Sequence, residues 1–249
     1  AANILAVTYY VVYQTRRSEN LSLRPKDFTL NREIISSTSA IGFPVFLLEL
    51  ITIATSLTLN NIAAGYGPVY VAAYGVIFKL GMLPKALTNG LCQGVQPLMG
   101  YTYAAKKAAR LQKTIQLAGS YGTGITVFFV AILFLSGGSV LGIFNKEAAF
   151  LASGVPLLRI SLISYLTLGI TFIVTSLSQA VGKAVPTFAM SVVQGIIFIP
   201  AAFLASRMFG LWGFAWAWPV ADILTMLLGI ALFLFYRGEI YAEATPAAG

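Results

Sequence analysis

The chain has 249 residues, of which 58% are hydrophobic and 10% charged, with a net charge of +8. Soluble domains carry about 25% charged residues, so a mean hydropathy of +0.83 sets most of the surface against lipid, and the basic excess does not read as a nucleic-acid footprint. Histidine is absent and Cys92 is the single cysteine, which excludes histidine-ligated metals, Ser–His or Cys–His nucleophiles and an internal disulfide.

In chain order, residues 1–13 read as the end of a truncated transmembrane helix, so the chain is expected to be a fragment of a longer protein. Residues 14–32 hold Arg16, Arg17, Arg24, Lys26 and Arg32 with Asn20 and Pro25, and read as a cytoplasmic linker. Six apolar spans follow, at about 34–61, 69–99, 111–135, 150–178, 187–206 and 213–236, each long enough for a helix to cross a bilayer. The breaks between them fall at 60–68, 100–110, 136–149, 179–186 and 207–212. Gly81, Pro84 and Gly90 interrupt the second span, which predicts a bent or tilted helix. The expected organisation is therefore an all-α membrane protein, with a six-helix bundle over 33–237 and a tail over 238–249. Basic residues crowd 14–32 and 100–113 and recur at Lys183 and Arg237, whereas the other breaks hold Lys146 and Arg207. The positive-inside rule then puts the carboxyl terminus in the cytoplasm and the chain in the plasma (inner) membrane.

Polar residues on such helices must face protein or water. At 100° per residue, Thr38, Glu49, Thr52, Ser56 and Asn60 share one arc of the first full span. A bare carboxylate at the depth of Glu49 costs several kcal/mol unless protonated, paired or hydrated. It reads as a cation or substrate site, or else as a structural contact between helices. The second span gathers Tyr74, Phe78, Gly81, Lys85, Asn89 and Gln96 on one face, with Lys79 turned away at a depth that suits a pair with Glu49. Tyr74 and Phe78 offer aromatic faces to a cation. The fourth span aligns Ser164, Thr171, Thr175 and Ser178, hydroxyls that suit either a cavity wall or bonds to their own backbone. Arg159 and Asp222 lie at matching depths and are expected to pair; Trp212, Trp216 and Trp218 read as interface anchors. Gly90 and Gly94 fit a small-xxx-small helix contact.

Specific words then accumulate: Gly42-Phe43-Pro44, Ala72-Ala73-Tyr74-Gly75, Gln93-Gly94-Val95-Gln96-Pro97-Leu98-Met99-Gly100-Tyr101, Tyr103-Ala104-Ala105-Lys106, Gln179-Ala180-Val181-Gly182-Lys183-Ala184, Gly210-Leu211-Trp212-Gly213 and Pro219-Val220-Ala221-Asp222. With these the chain resembles the carboxyl-terminal half of a multidrug and toxic compound extrusion (MATE) transporter, over nearly its whole length. The resemblance implies one lobe of a twelve-helix protein, with an amino-terminal lobe as missing partner and a central cavity exposed alternately to each side. It implies export of amphipathic, often cationic, organic compounds driven by Na+ or H+, with no organic cofactor. Glu49 is the acid of this chain that matches the coupling acid of the family's seventh helix. It stands closer to Pro44 than in the sodium-coupled branch, and the span 150–178 lacks that branch's second acid. Thr102 and Ala104 replace the usual asparagine and glycine of the loop. The candidate ion- or substrate-binding set is Glu49, with Na+ as its candidate metal, and Thr52, Ser56, Asn60, Tyr74, Phe78, Lys79, Lys85, Asn89, Ser164, Thr171 and Thr175. Two other readings stay open: a lipid-linked oligosaccharide flippase of the same superfamily, and a non-transporting scaffold or inactive fragment. Enzyme motifs such as Gly-x-Ser-x-Gly or His-Glu-x-x-His are absent, so no catalytic activity is expected.

Overall fold

The computed structural model describes residues 2–17 and 31–245. Its elements are α1 (Ala2–Arg17), α2 (Arg32–Tyr66), α3 (Pro68–Ala104), α4 (Ala108–Phe144), α5 (Ala148–Ala180), α6 (Ala184–Ser191), a π-helical segment (Val192–Ile197) and α7 (Phe198–Glu243). Most of the linker expected at 14–32, and the tail from 246, lie outside the described residues. The chain forms two units, 1–40 and 41–249.

In the first unit, α1 continues past Tyr13 to Arg17. Tyr9 and Tyr13, one turn apart, stack at 6.2 Å. Asn31 caps the start of α2, its side-chain oxygen accepting the Glu33 N–H at 2.9 Å.

The second unit is a helical bundle with α5 at its hub, packed on α3, α4, α6 and α7. Burial separates the roles of the helices. The most apolar stretch of α5 is 61% buried, that of α4 only 17%, so α5 lies inside the bundle and α4 turns most of its surface outward. Of the described side chains on α2, Ile62 and Ala63 are the buried ones. Among the described residues, four helices are long and apolar enough to cross a membrane.

The helices overrun the apolar spans because polar residues do not end a helix; a change of backbone conformation does. Gly67 (φ 120) stops α2, and Pro68 opens α3 where its missing N–H costs nothing. The ends of α3 and α5 share one device. Lys107 N–H bonds to Thr102 O at 2.9 Å and Lys106 N–H to Tyr103 O at 3.1 Å, while Lys183 N–H bonds to Ser178 O at 2.9 Å and Gly182 N–H to Gln179 O at 3.2 Å. This is the Schellman motif, which needs a left-handed residue after the helix. Gly182 (φ 74) supplies it at one end and Lys106 (φ 54) at the other. Gly210 (φ 63, ψ −145) breaks α7 into two rods. They fold back so tightly that a Cβ on Gly213 would land on the Ala205 carbonyl oxygen. With α6, the π segment and the first part of α7 taken as one rod, the chain from Arg32 onward makes the six rods expected. Pro84 and Pro97 are carried inside an uninterrupted α3.

Two apolar clusters form the core. One gathers Tyr74, Leu157, Leu158, Leu162 and Phe214; the other gathers Cys92, Met99, Leu111, Leu177 and Ile240. Glycines set the closest helix contacts. A Cβ at Gly169 would stand 2.6 Å from the Thr123 backbone nitrogen, and one at Gly122 would be 3.4 Å from Thr88 Cγ2. The contact expected of Gly90 and Gly94 is not made: both are exposed and open space surrounds them.

Candidate functional site

Between the two apolar clusters lies a belt of buried polar groups. It contains Thr88 from α3, Thr126 from α4, Ser164, Thr167 and Thr171 from α5, and Asp222 and Thr225 from α7. Several of these satisfy themselves. Thr126, Thr167 and Thr225 donate to carbonyl oxygens of their own helices at 2.9, 2.7 and 2.8 Å. Thr88, Ser164 and Thr171 do not: their hydroxyls bond to none of the described residues. Each buried hydroxyl left alone costs about 1–3 kcal/mol, and of these three Ser164 is the one that faces the carboxylate of the belt.

Asp222 is the charged member of the belt, 5% exposed. Gln194 Nε2 donates to its Oδ1 at 3.1 Å. The Ser164 hydroxyl and the Trp218 indole face the same carboxylate, and Lys85 lies within its electrostatic reach. Of these, Gln194 is the one that meets hydrogen-bonding geometry among the described residues. Gln194 sits in the π-helical segment. A π turn carries one residue more than an α turn and recurs at functional sites; here it contains the residue that holds Asp222. The Trp218 ring also packs on Phe78 with centroids 4.6 Å apart. The cluster therefore joins an aromatic pair to an amide, a hydroxyl and a carboxylate, contributed by α3, α5, the π segment and α7.

The residues expected from sequence divide into two groups. Ser164 lies at the Asp222 carboxylate, Lys85 is within its electrostatic reach, Phe78 packs on Trp218, and Thr171 is buried in the same belt. Asn89 is half-buried and accepts the Gln93 amide at 3.3 Å. Thr175 donates to Thr171 O at 2.9 Å, a bond to its own helix. Tyr74 is buried edge-to-face on Phe214 at 5.1 Å, with no open ring face. Glu49, Asn60 and Lys79 are exposed, and Ser56 is half-buried. The side chain of Thr52 lies outside the described residues.

Two expected pairs are not formed. Arg159 does not meet Asp222: its guanidinium carbon stands 5.1 Å from the Phe134 ring centroid, on the α4 side of α5, while Asp222 is bonded to Gln194. Equal depth suggests the pair, but Arg159 leaves α5 on the side of α4, whereas Asp222 comes from α7 and meets the π segment. Glu49 and Lys79 are both exposed and do not pair with each other, whereas Lys183 pairs with Glu239 at 2.6 Å. Trp212 and Trp216 are exposed as anchors should be, but Trp218 turns into the bundle. Neither Gln194 nor its bond to Asp222 is anticipated from the sequence. The available signal was an acid and an amide, each inside an apolar run.

Residues 44–204 match the family model MatE. The multidrug export protein MepA of Staphylococcus saprophyticus is 30% identical over 242 residues, covering 97% of this chain and 53% of that protein. MepA of Staphylococcus aureus is 29% identical over 244 residues, covering 98% of this chain and 54% of that protein. The chain thus spans about half the length of the curated relatives it matches. In fold it is similar to a multidrug resistance MATE family transporter of the MOP superfamily solved in an outward-facing conformation. The TM-score is 0.80 at 19% identity, over 96% of this chain and 54% of that one. A helical membrane bundle with a polar belt at its centre, matched over most of its length by that family model, has one assignment: the chain belongs to the MatE family.

Proposed function

We propose that this chain is the carboxyl-terminal lobe of a cation-coupled exporter of amphipathic organic compounds, working by alternating access with an amino-terminal lobe in the plasma membrane. The observation that carries this reading is the buried Asp222 carboxylate, held by Gln194 and faced by the unpartnered Ser164 hydroxyl. An acid inside a membrane bundle is expensive and is kept where it binds or releases a cation. Na+ or H+ at Asp222 would change the charge of the belt, and a conformation that favours one charge state would be shifted by it. The aromatic pair of Phe78 and Trp218 suits a substrate with an apolar body and a positive centre. Glu49, exposed on α2, faces outward from this lobe's own core and suits a cavity shared with the second lobe. The relatives named as multidrug export proteins support the substrate class.

The test is dye efflux from cells expressing the two-lobed protein. Asp222→Asn preserves shape but not charge and should reduce efflux about tenfold or more, while protein level and melting temperature stay near wild type. Efflux unchanged in Asp222→Asn removes the carboxylate from the mechanism. Glu49→Gln run in parallel reports whether the shared cavity needs its acid.

A further inference from the structure

We infer that the groove between α4 and α5 is a binding site for an anionic phospholipid, with Arg159 holding the headgroup phosphate. Arg159 is exposed in the middle of an apolar helix. Its polar partner among the described residues is the face of Phe134, 5.1 Å from the ring centroid. A guanidinium carries five N–H donors and always keeps its charge, and stacking on a ring satisfies none of those donors. Among the described residues no carboxylate pairs with it. The ion pair found among the described residues is Lys183–Glu239, and Glu147, which precedes α5, is about 18 Å away along the helix axis.

Position along the helix fixes the kind of partner. α5 has 33 residues and is about 50 Å long. Centred on a hydrocarbon layer of about 30 Å, it leaves about 10 Å beyond each face. Arg159, about 16 Å from the helix start, then lies about 6 Å beneath the hydrocarbon boundary. Helical side chains lean toward their own amino terminus, so Arg159 reaches back toward that boundary, as long basic side chains do. There it meets lipid phosphates.

The groove beneath it is shaped for the rest of the molecule. A cavity of about 350 Å³ runs along Val130, Phe134, Ile163 and Leu166, and Arg159 is the charged residue in its wall. Ile163 and Leu166 come one and two turns after Arg159 and are therefore deeper. A ligand lying here has its anion at the interface and its apolar part pointing to the bilayer centre. That is the orientation of a phospholipid in the leaflet next to the α4–α5 connection. Arginine also pairs two N–H groups with two phosphate oxygens, which a zwitterionic lipid would answer less well because its own ammonium competes.

Native mass spectrometry and thermal shift on the purified full chain in detergent test this with two probes, dioleoylphosphatidylglycerol and dioleoylphosphatidylcholine. Wild type should retain the anionic lipid about tenfold more tightly, one charge-assisted contact's worth, and melt higher in its presence. Arg159→Gln should erase the preference, and Arg159→Lys should keep part of it. Ile163→Trp, which fills the groove and leaves the charge, should lose the anionic lipid as well; it serves if Arg159→Gln does not fold. Equal retention of the two lipids by wild type would overturn the assignment. So would a preference that survives Arg159→Gln, or the same thermal shift produced by sodium phosphate alone.

Discussion

Gly169→Ala isolates the packing on which the bundle depends. The new methyl would lie 2.6 Å from the Thr123 backbone nitrogen and from Thr123 Oγ1, and 2.8 Å from Thr123 Cα. Ordinary contact begins near 3.4 Å, so α4 must retreat by about 0.8 Å at this level. Two of the three obstructing atoms are main chain and cannot rotate aside. Overpacking of this kind costs about 1–3 kcal/mol, toward the upper end here because the whole helix must move. For a chain of this size that is a fall in melting temperature of about 2–12 °C. The chain supplies its own reporter, since Cys92 is its single cysteine and is fully buried in the second core cluster. A thiol-reactive fluorogenic dye therefore reads the opening of the bundle at that residue. Gly124→Ala is the control, because a Cβ there meets open space, and removing a mid-helix glycine should stabilise by about 0.5–1 kcal/mol. The reasoning fails if Gly169→Ala melts with wild type, or if both alanines lower the midpoint equally.

Lys106→Gly should raise stability by about 1 kcal/mol by relieving a left-handed lysine, and Gly182→Ala should lower it by a similar amount; a reversed order in thermal melts would contradict the Schellman assignment. Tyr66→Phe removes a 2.8 Å bond to Ser206 Oγ and should cost about 1 kcal/mol, with a coupling of about 0.5–1.5 kcal/mol to Ser206→Ala in a double-mutant cycle. Gln194→Leu leaves Asp222 without its amide donor and should cost about 1–3 kcal/mol, most of it regained by Gln194→Leu with Asp222→Leu, because two apolar partners need no hydrogen bond. Loss without recovery in the double variant would show that the pair does not set the stability of this region.

The rods were legible because membrane helices announce themselves by length and apolarity. The belt was partly legible: Ser164 and Thr171 came from a simple hydroxyl stripe on one helix. What failed was the angle between helices. Arg159 and Asp222 share a depth, which residue counting reveals, yet α5 directs one toward Phe134 and leaves the other to Gln194. Gln194 was harder still, because a π segment adds a residue to the turn and shifts every later side chain from the 3.6-residue count. Close helix contacts followed the same rule. The spacing of Gly90 and Gly94 can be read within one helix, whereas Gly169 meets Thr123 of another, and no motif on a single strand of text records that meeting. Lys106 shows a third kind of limit, since a Schellman turn is usually signalled by glycine and here a lysine takes the strained position.

The attachment of α2 has a mechanical consequence. Ile62 and Ala63 are its buried side chains among those described, and Tyr66 adds the bond to Ser206. The helix is thus anchored at its last turns, like an oar in its rowlock. Glu49 is about 26 Å up the shaft from Tyr66, so a swing of roughly 10° about that fulcrum carries the acid about 4–5 Å, while the rowlock itself barely stirs.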